Sequence, residues 1–324
     1  MTLATLEMTC RQRHRYRAFG LHILSDLALP ALAPADMLSG EPDVSIRVGA
    51  VPEPADAATR VWCEDGEIGF AIRGIARYRI RRGNEITVDP LPEGSSGKLQ
   101  LFLLGSALGA LCHQRGLLVL HANALVIDGR AIAFAGKSGA GKSTLVAHFH
   151  ARGYPVLSDD TCVVSFDADG APQVWPGLRQ IKLWRDAAEH FGHAMDPQSR
   201  VVDGLEKYRV PYRHEAEGPF PLACIYVLGD APVTTAPQVE RLAGLQALNA
   251  IMSNTYRAEY LRRMGLRQRH FAQSLALANR VPVHAARYRR GLDVLAGQAA
   301  EFERHFHGVV GAGLPAPVSD QAHS

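Results

Sequence analysis

No two of the five cysteines (Cys10, Cys63, Cys112, Cys162 and Cys224) form a Cys-x-x-Cys pair, and no histidines cluster at ligand spacing. A disulfide framework or a zinc site is therefore not expected, and reduced thiols in a cytoplasmic protein are the default reading. An excess of charge of one sign is also missing. The 35 basic and 32 acidic residues leave a formal charge of +3, too even a balance for a nucleic-acid binder as a whole. Long hydrophobic runs are absent too. The longest, Leu99 to Cys112, is interrupted by Gln100 and ended by His113-Gln114-Arg115, so it reads as a buried helix rather than a bilayer span. The N-terminus shows no apolar stretch of the kind a secretory signal needs. Neither a membrane nor a nucleic acid is expected as a partner.

What remains is 324 residues, 47% hydrophobic and 21% charged, enough for two domains. Residues 1–95 read as a mainly antiparallel β domain, a candidate for substrate recognition. Arg11, Arg13, Arg15 and Arg17 share one parity and in a strand would leave one face. Ala76, Tyr78 and Ile80 alternate with Arg77, Arg79 and Arg81 in the same way. Gly83-Asn84 and Asp65-Gly66 mark hairpin turns. The arginines fit a solvated sheet face better than a grip on an acidic partner or peptide, which stays the alternative. The Pro-rich stretch 30–54 reads as loop and Pro90–Gly97 as linker.

Residues 96–309 form the second expected domain. A helix runs from about Lys98 to Arg115, with Gly116 as a left-handed cap. Asp128-Gly129 lies between the apolar runs Ala124–Ile127 and Ala131–Ala135, a hairpin signal. From Glu240 to about His307 the period is helical, with Leu242, Leu245, Leu248 and Ile251 on one face and a later helix from Gly291 to Phe306. Between them, Val281-Pro282-Val283-His284 reads as a short edge strand. Residues 310–324, rich in Gly, Pro and Ala, read as a disordered tail.

Gly136-Lys137-Ser138-Gly139-Ala140-Gly141-Lys142-Ser143 fits the phosphate-loop pattern G-x-x-x-x-G-K-[ST] without deviation. Glycines permit positive φ and bring backbone N–H groups against phosphate oxygens. Lys142 reaches the β- and γ-phosphates as a point charge, and the Ser143 hydroxyl is suited to Mg²⁺. A helix starting at Thr144 turns its positive end to the phosphates. ATP and Mg²⁺ are the expected cofactors. The second arm of the Asp-Gly hairpin enters this loop, whereas most phosphate loops follow a strand of a parallel sheet.

Tyr154-Pro155-Val156-Leu157-Ser158-Asp159-Asp160 follows the loop helix. Two carboxylates at the end of a returning strand have two available tasks: holding Mg²⁺, and accepting the proton of an attacking hydroxyl. Neighbours on an extended chain point opposite ways, so the residue type alone does not assign the tasks.

The order of these elements, Leu120-His121-Ala122-Asn123-Ala124-Leu125, the Asp128-Gly129 hairpin, Gly136–Ser143 and Ser158-Asp159-Asp160, resembles the catalytic domain of HPr kinase/phosphorylase over roughly residues 117–166. The resemblance implies an α/β P-loop kinase domain of the HPr kinase and PEP carboxykinase type. It implies ATP-dependent transfer to a serine of a peptide or protein, with Asp159 as base, Asp160 on the Mg²⁺ side with Ser143, and His121 near the transferred phosphate. A strand-end histidine with a satisfied hydrogen bond fits His121 equally well. The family's Glu-Ile-Arg-Gly segment is absent; Trp175-Pro176-Gly177-Leu178, Ile181-Lys182-Leu183-Trp184 and Glu206-Lys207-Tyr208-Arg209-Val210 stand in its place. These resemble a branch of related kinases that includes those acting on lasso-peptide precursors. Lys207 and Arg209 are candidates to meet the nucleotide, or a solvated loop. A homo-oligomer is admissible by the same resemblance. Two other readings stay open: a small-molecule kinase, for which Arg257, Arg262, Arg263, Arg267 and Arg269 imitate a lid, and a protein that binds nucleotide as a switch without transfer.

Overall fold

Val44 and Ile46 are buried on one face of a strand in the Pro-rich stretch whose composition suggests loop, and this strand organises the first sheet. In the computed structural model residues 13–35, 40–52, 60–202, 204–212, 217–231 and 237–311 are described. Arg11 and the tail beyond residue 311 lie outside them. The first sheet is built from β1 (His14–Ala18), β2 (Leu21–Ser25), β3 (Ala33–Pro34), β4 (Val44–Val48), β5 (Val61–Glu64), β6 (Glu67–Ile72), β7 (Ala76–Arg81) and β8 (Glu85–Pro90). Their spatial order is β3-β1-β2-β4-β8-β7-β6-β5. β4 runs parallel to both neighbours, and the other pairings are antiparallel. The alternation expected for β7 is present: Ala76, Tyr78 and Ile80 are buried, and Arg77 pairs with Asp89 at 3.1 Å.

A helical stretch follows: α1 (Ser96–Phe102), a π-helical segment (Leu103–Ala107) and α2 (Leu108–Gln114), closed by Gly116 at φ 75°. Ser95 caps it, its side chain accepting from Lys98 N. Leu99, Leu103, Leu108 and Leu111 enter the core of the first sheet. The helix placed by sequence at the head of the second domain thus covers the first sheet, because that sheet's apolar face needs a partner.

The second sheet contains β9 (Leu118–Leu120), β10 (Ala122–Ile127), β11 (Arg130–Ala135), β12 (Val156–Ser158), β13 (Cys162–Phe166), β14 (Pro172–Val174), β17 (Phe220–Asp230), β18 (Gln238–Leu242) and β19 (Val283–Tyr288). A separate hairpin joins β15 (Gln180–Trp184) to β16 (Lys207–Pro211). β10 and β11 form the expected antiparallel hairpin, and β11 pairs on its other side with β17 in parallel. Against one face of the sheet lie α3 (Lys142–Ala151) and α8 (Leu295–Gly311), through Leu145, Phe149, Phe302 and Phe306. The short helix α4 (Arg185–His190) follows β15, and on the other face pack α5 (Leu245–Ser253) and α7 (Arg267–Arg280), joined by α6 (Ala258–Arg263). The chain is mixed α/β.

Three expectations are corrected here. Leu242 belongs to β18, not to a helix, because Gly244 at φ 51° separates that strand from α5. β19 is an inner strand, paired with β17 and β18. Pro282 precedes its first paired residue and only accepts, from Ile225 N, so its missing N–H costs nothing. The last helix begins at Leu295 rather than Gly291. Among the described residues no helix is long and apolar enough to cross a membrane.

Candidate active site

The end of β11 turns through residues 136–141 into α3. Gly136, Gly139 and Gly141 have φ of 139°, 83° and 89°, the region that glycine adopts without penalty. Space enforces the choice as well. A Cβ at Gly136 would stand 2.8 Å from Leu228 O, and one at Gly141 would collide with the Tyr288 hydroxyl. That hydroxyl donates to Ala140 O at 2.6 Å, and the Arg290 guanidinium donates to Gly139 O. The helix starts at Lys142, two residues before the expected Thr144, with left-handed Gly141 as its cap. Its free N–H groups face a cleft lined by Ser138, Gly139, Gly141, Ser143 and Thr144. Lys142 Nζ donates to Gly136 O at 2.7 Å and to Lys137 O at 3.1 Å. Burial pushes its pKa down, against the opposing pull of Asp160 and Asp159.

β12 delivers the two carboxylates, and they take different places. Asp159 is 2% exposed. Its Oδ1 accepts from Ser143 Oγ at 2.7 Å and Asn123 Nδ2 at 2.6 Å, and its Oδ2 from Lys182 N at 2.9 Å. Burial pushes its carboxyl up, opposed by Lys182. Asp160 has φ 74°, a left-handed backbone that Asp tolerates better than most residues. Asn123 Oδ1 fixes this turn by accepting from Asp160 N at 3.2 Å. The Asp160 carboxylate lines the cleft, where Oδ2 accepts from Lys182 Nζ at 3.0 Å and Oδ1 lies 3.1 Å from His121 Nδ1. Its own burial is outweighed by Lys182 and His121, which hold its carboxyl far below the usual range.

His121 Nε2 lies 3.2 Å from Lys142 Nζ. An ammonium only donates, so Nε2 accepts and Nδ1 carries the proton donated to Asp160; the network assigns this tautomer. Lys142, His121, Asp160 and Lys182 therefore form one chain of alternating donors and acceptors across the cleft floor.

Lys207 lines the same cleft, its Nζ 5.7 Å from the Trp184 ring centroid. Arg209 does not reach it. Its guanidinium donates to Gly97 O at 3.3 Å and Val201 O at 3.1 Å, one strand step beyond Lys207 on the same face. The expectation that Arg209 meets the nucleotide is corrected on that ground. Gly136 and Ala140 contribute through their carbonyls. The expected partition of the carboxylates also meets a different geometry: Ser143 stands on Asp159, not on Asp160.

Asn123, Lys182, Tyr288 and Arg290 were not singled out by sequence. Lys182 carried a signal, being a lysine between Ile181 and Leu183 in an apolar strand, and it is 8% exposed. Asn123 had only its place between two alanines. Tyr288 ends β19 and Arg290 follows it, and neither had one.

No family model matches the sequence, and no curated protein does. Among solved structures, that of the HPr(Ser) kinase/phosphatase from Coxiella burnetii aligns with 58% of this chain and 95% of its own, at 13% identity and a TM-score of 0.31. A likeness of that degree carries no argument about chemistry. The side chains have to carry it.

The cleft offers about 230 Å³ of water-accessible space and opens to solvent. Among the described residues no three His, Cys, Asp or Glu side chains converge. A cation here would be held by the Ser143 hydroxyl and the Asp159 carboxylate, with its other ligands from phosphate and water. That donor set is all oxygen and small in number, which fits Mg²⁺ and excludes a thiolate-loving metal.

Proposed function

We propose that this chain is an ATP-dependent kinase that transfers the γ-phosphoryl group to a serine hydroxyl of a peptide or protein. The observation that carries the proposal is the division of labour between adjacent carboxylates: one buried on the phosphate-loop serine, one facing the cleft beside Lys142. Nucleotide binding alone calls for the first and has no use for the second.

The backbone N–H groups of the loop and the Lys142 ammonium bind the triphosphate. Ser143 and Asp159 would hold Mg²⁺, which when bound would supply charge neutralisation at the phosphates. Asp160 takes the acceptor hydroxyl. The serine oxygen forms its bond to the γ-phosphorus as the bond from that phosphorus to the bridging β–γ oxygen breaks, and the serine proton passes to an Asp160 oxygen. Phosphoryl transfer has a loose transition state and demands little basicity, so a carboxylate held far down by Lys182 and His121 still serves by aiming the hydroxyl. This reverses the tasks carried over from the resemblance, in which Asp159 was the base.

The test is transfer from γ-labelled ATP to serine peptides, read alongside nucleotide affinity. Asp160→Asn should lower the transfer rate by roughly 10²-fold or more and leave ATP affinity within a few-fold. A rate equal to that of the unaltered protein would remove Asp160 from the chemistry.

A further inference from the structure

Lys182 forms part of two walls. It closes the floor of the nucleotide cleft, and it also lines a second groove with Pro30, Ala31, Leu104, Leu178 and Arg209. At Arg209 and Gln100 that groove opens into a third depression bordered by Pro197 and Arg200. The three run on from one another, starting at Asp160.

The hairpin explains the line. Trp184 pairs with Lys207 and Lys182 with Arg209, so all four side chains leave one face, while Ile181, Leu183, Tyr208 and Val210 are buried on the other. The opposite wall comes from the first sheet's unit and is fastened down. Arg179 N donates to Ala31 O at 2.7 Å, and Gln100 Nε2 to Ala28 O at 3.0 Å. The floor is apolar, from Leu104, Leu178 and Pro211. The charge along it is positive. Arg209 is half-buried, bonds only to carbonyls and meets no carboxylate among the described residues. Burial lowers its pKa, as expected of a cation without a counter-ion.

We infer that this groove is the acceptor site, and that it takes an extended polypeptide segment with acidic residues beside the serine that reaches Asp160. The inference rests on the kinase reading for what happens at Asp160, but the groove's chemistry stands apart from it. An extended chain advances about 3.3 Å per residue, and cross-strand partners such as Lys182 and Arg209 hold their β-carbons about 5 Å apart. Carboxylates roughly two to four residues from the serine therefore come within reach of Arg209. A small anion would fill one of the three depressions and leave the apolar floor bare.

The experiment uses the full chain and three fluorescein-labelled decapeptides with one central serine, flanked by glutamates, glutamines or lysines. Binding is read by anisotropy, transfer by γ-labelled ATP, and nucleotide affinity by a fluorescent ATP analogue. The glutamate peptide should bind about tenfold tighter than the glutamine peptide, with the lysine peptide weakest. Arg209→Gln should erase most of that preference and Arg209→Glu should invert it towards lysine. Nucleotide affinity should hold in both, since Arg209 lies outside the nucleotide cleft. An inverted preference cannot come from a merely weakened fold. Equal binding of the three peptides, or a preference that ignores Arg209, overturns the groove. Charge-selective binding without any transfer would instead remove the kinase reading and leave the groove standing.

Discussion

Asp159 and Asp160 are sequence neighbours with opposite surroundings, and substitution should separate them. Asp159→Asn keeps the shape but takes a negative charge from beside Ser143, so the loss should fall on Mg²⁺-dependent ATP affinity, roughly tenfold or more. If instead affinity holds and only the transfer rate falls, the metal side has been assigned to the wrong residue. Lys142→Ala should abolish measurable nucleotide binding. The fold should survive it, because among the described residues Lys142 Nζ bonds only to loop carbonyls and His121; an unchanged urea midpoint checks this. At this scale the glycine-rich turn between β11 and α3 was legible because its requirements are local: glycine where φ is positive. The tasks of the two carboxylates were not. They depend on a left-handed turn at Asp160 held by Asn123, which is far away in sequence and, though it lies within the Leu120–Leu125 run, has no role that its type or place reveals. The resemblance puts the base on the buried Asp159, whereas the proposed mechanism puts it on Asp160, which lines the cleft.

Among elements, the unit β11–loop–α3 reads directly from its hairpin, but its brace does not. Tyr288 ends β19 and Arg290 lies just after it; β19 is an inner strand whose opening Val-Pro-Val suggests an edge, since periodicity says nothing about how many neighbours a strand has. Tyr288→Phe removes the donor to Ala140 O and should cost about 1 kcal/mol of loop order, seen as a rise of several-fold in ATP dissociation constant. No change would mean that glycine geometry alone holds the loop. The β15–β16 hairpin allows an optical check. Of the three tryptophans only Trp184 lines the cleft, and it is 46% exposed. ATP with Mg²⁺ should alter tryptophan fluorescence, and Trp184→Phe should abolish the change. A signal that persists in that variant would place the nucleotide away from β15. The same hairpin shows why Lys207 and Arg209, alike in sequence, part company: a strand step of two residues carries one into the cleft and the next out of it.

Across the whole molecule, the stability that keeps the carboxylates and lysines together rests on cores that also bury neutral histidines. His113, buried on α2, faces the backbone of Tyr256, its Nε2 2.8 Å from Tyr256 O. His284 in β19 stacks on Tyr226 and meets His305 edge-on at 4.9 Å. Burial lowers both from the ordinary 6.5 to about 4. The unfolded chain therefore binds more protons than the folded one between pH 6.5 and 4. Stability contributed by the neutral rings is complete above 6.5 and is lost as the pH falls through that window to about 4. At about 1.4 kcal/mol per unit, each ring accounts for on the order of 3 kcal/mol. Asp160, held far down by Lys182 and His121, adds its own loss only below the ordinary carboxylate range. Asp159, pushed up by burial, offsets part of the total because it takes a proton more readily folded than unfolded. The urea midpoint should fall steadily from pH 6.5 to 4, and His284→Phe, which keeps a ring against Tyr226 without the proton, should flatten the slope measurably. A slope that the phenylalanine leaves untouched would move the acid sensitivity away from His284 and onto the other histidines that burial lowers, His113, His270 and His305.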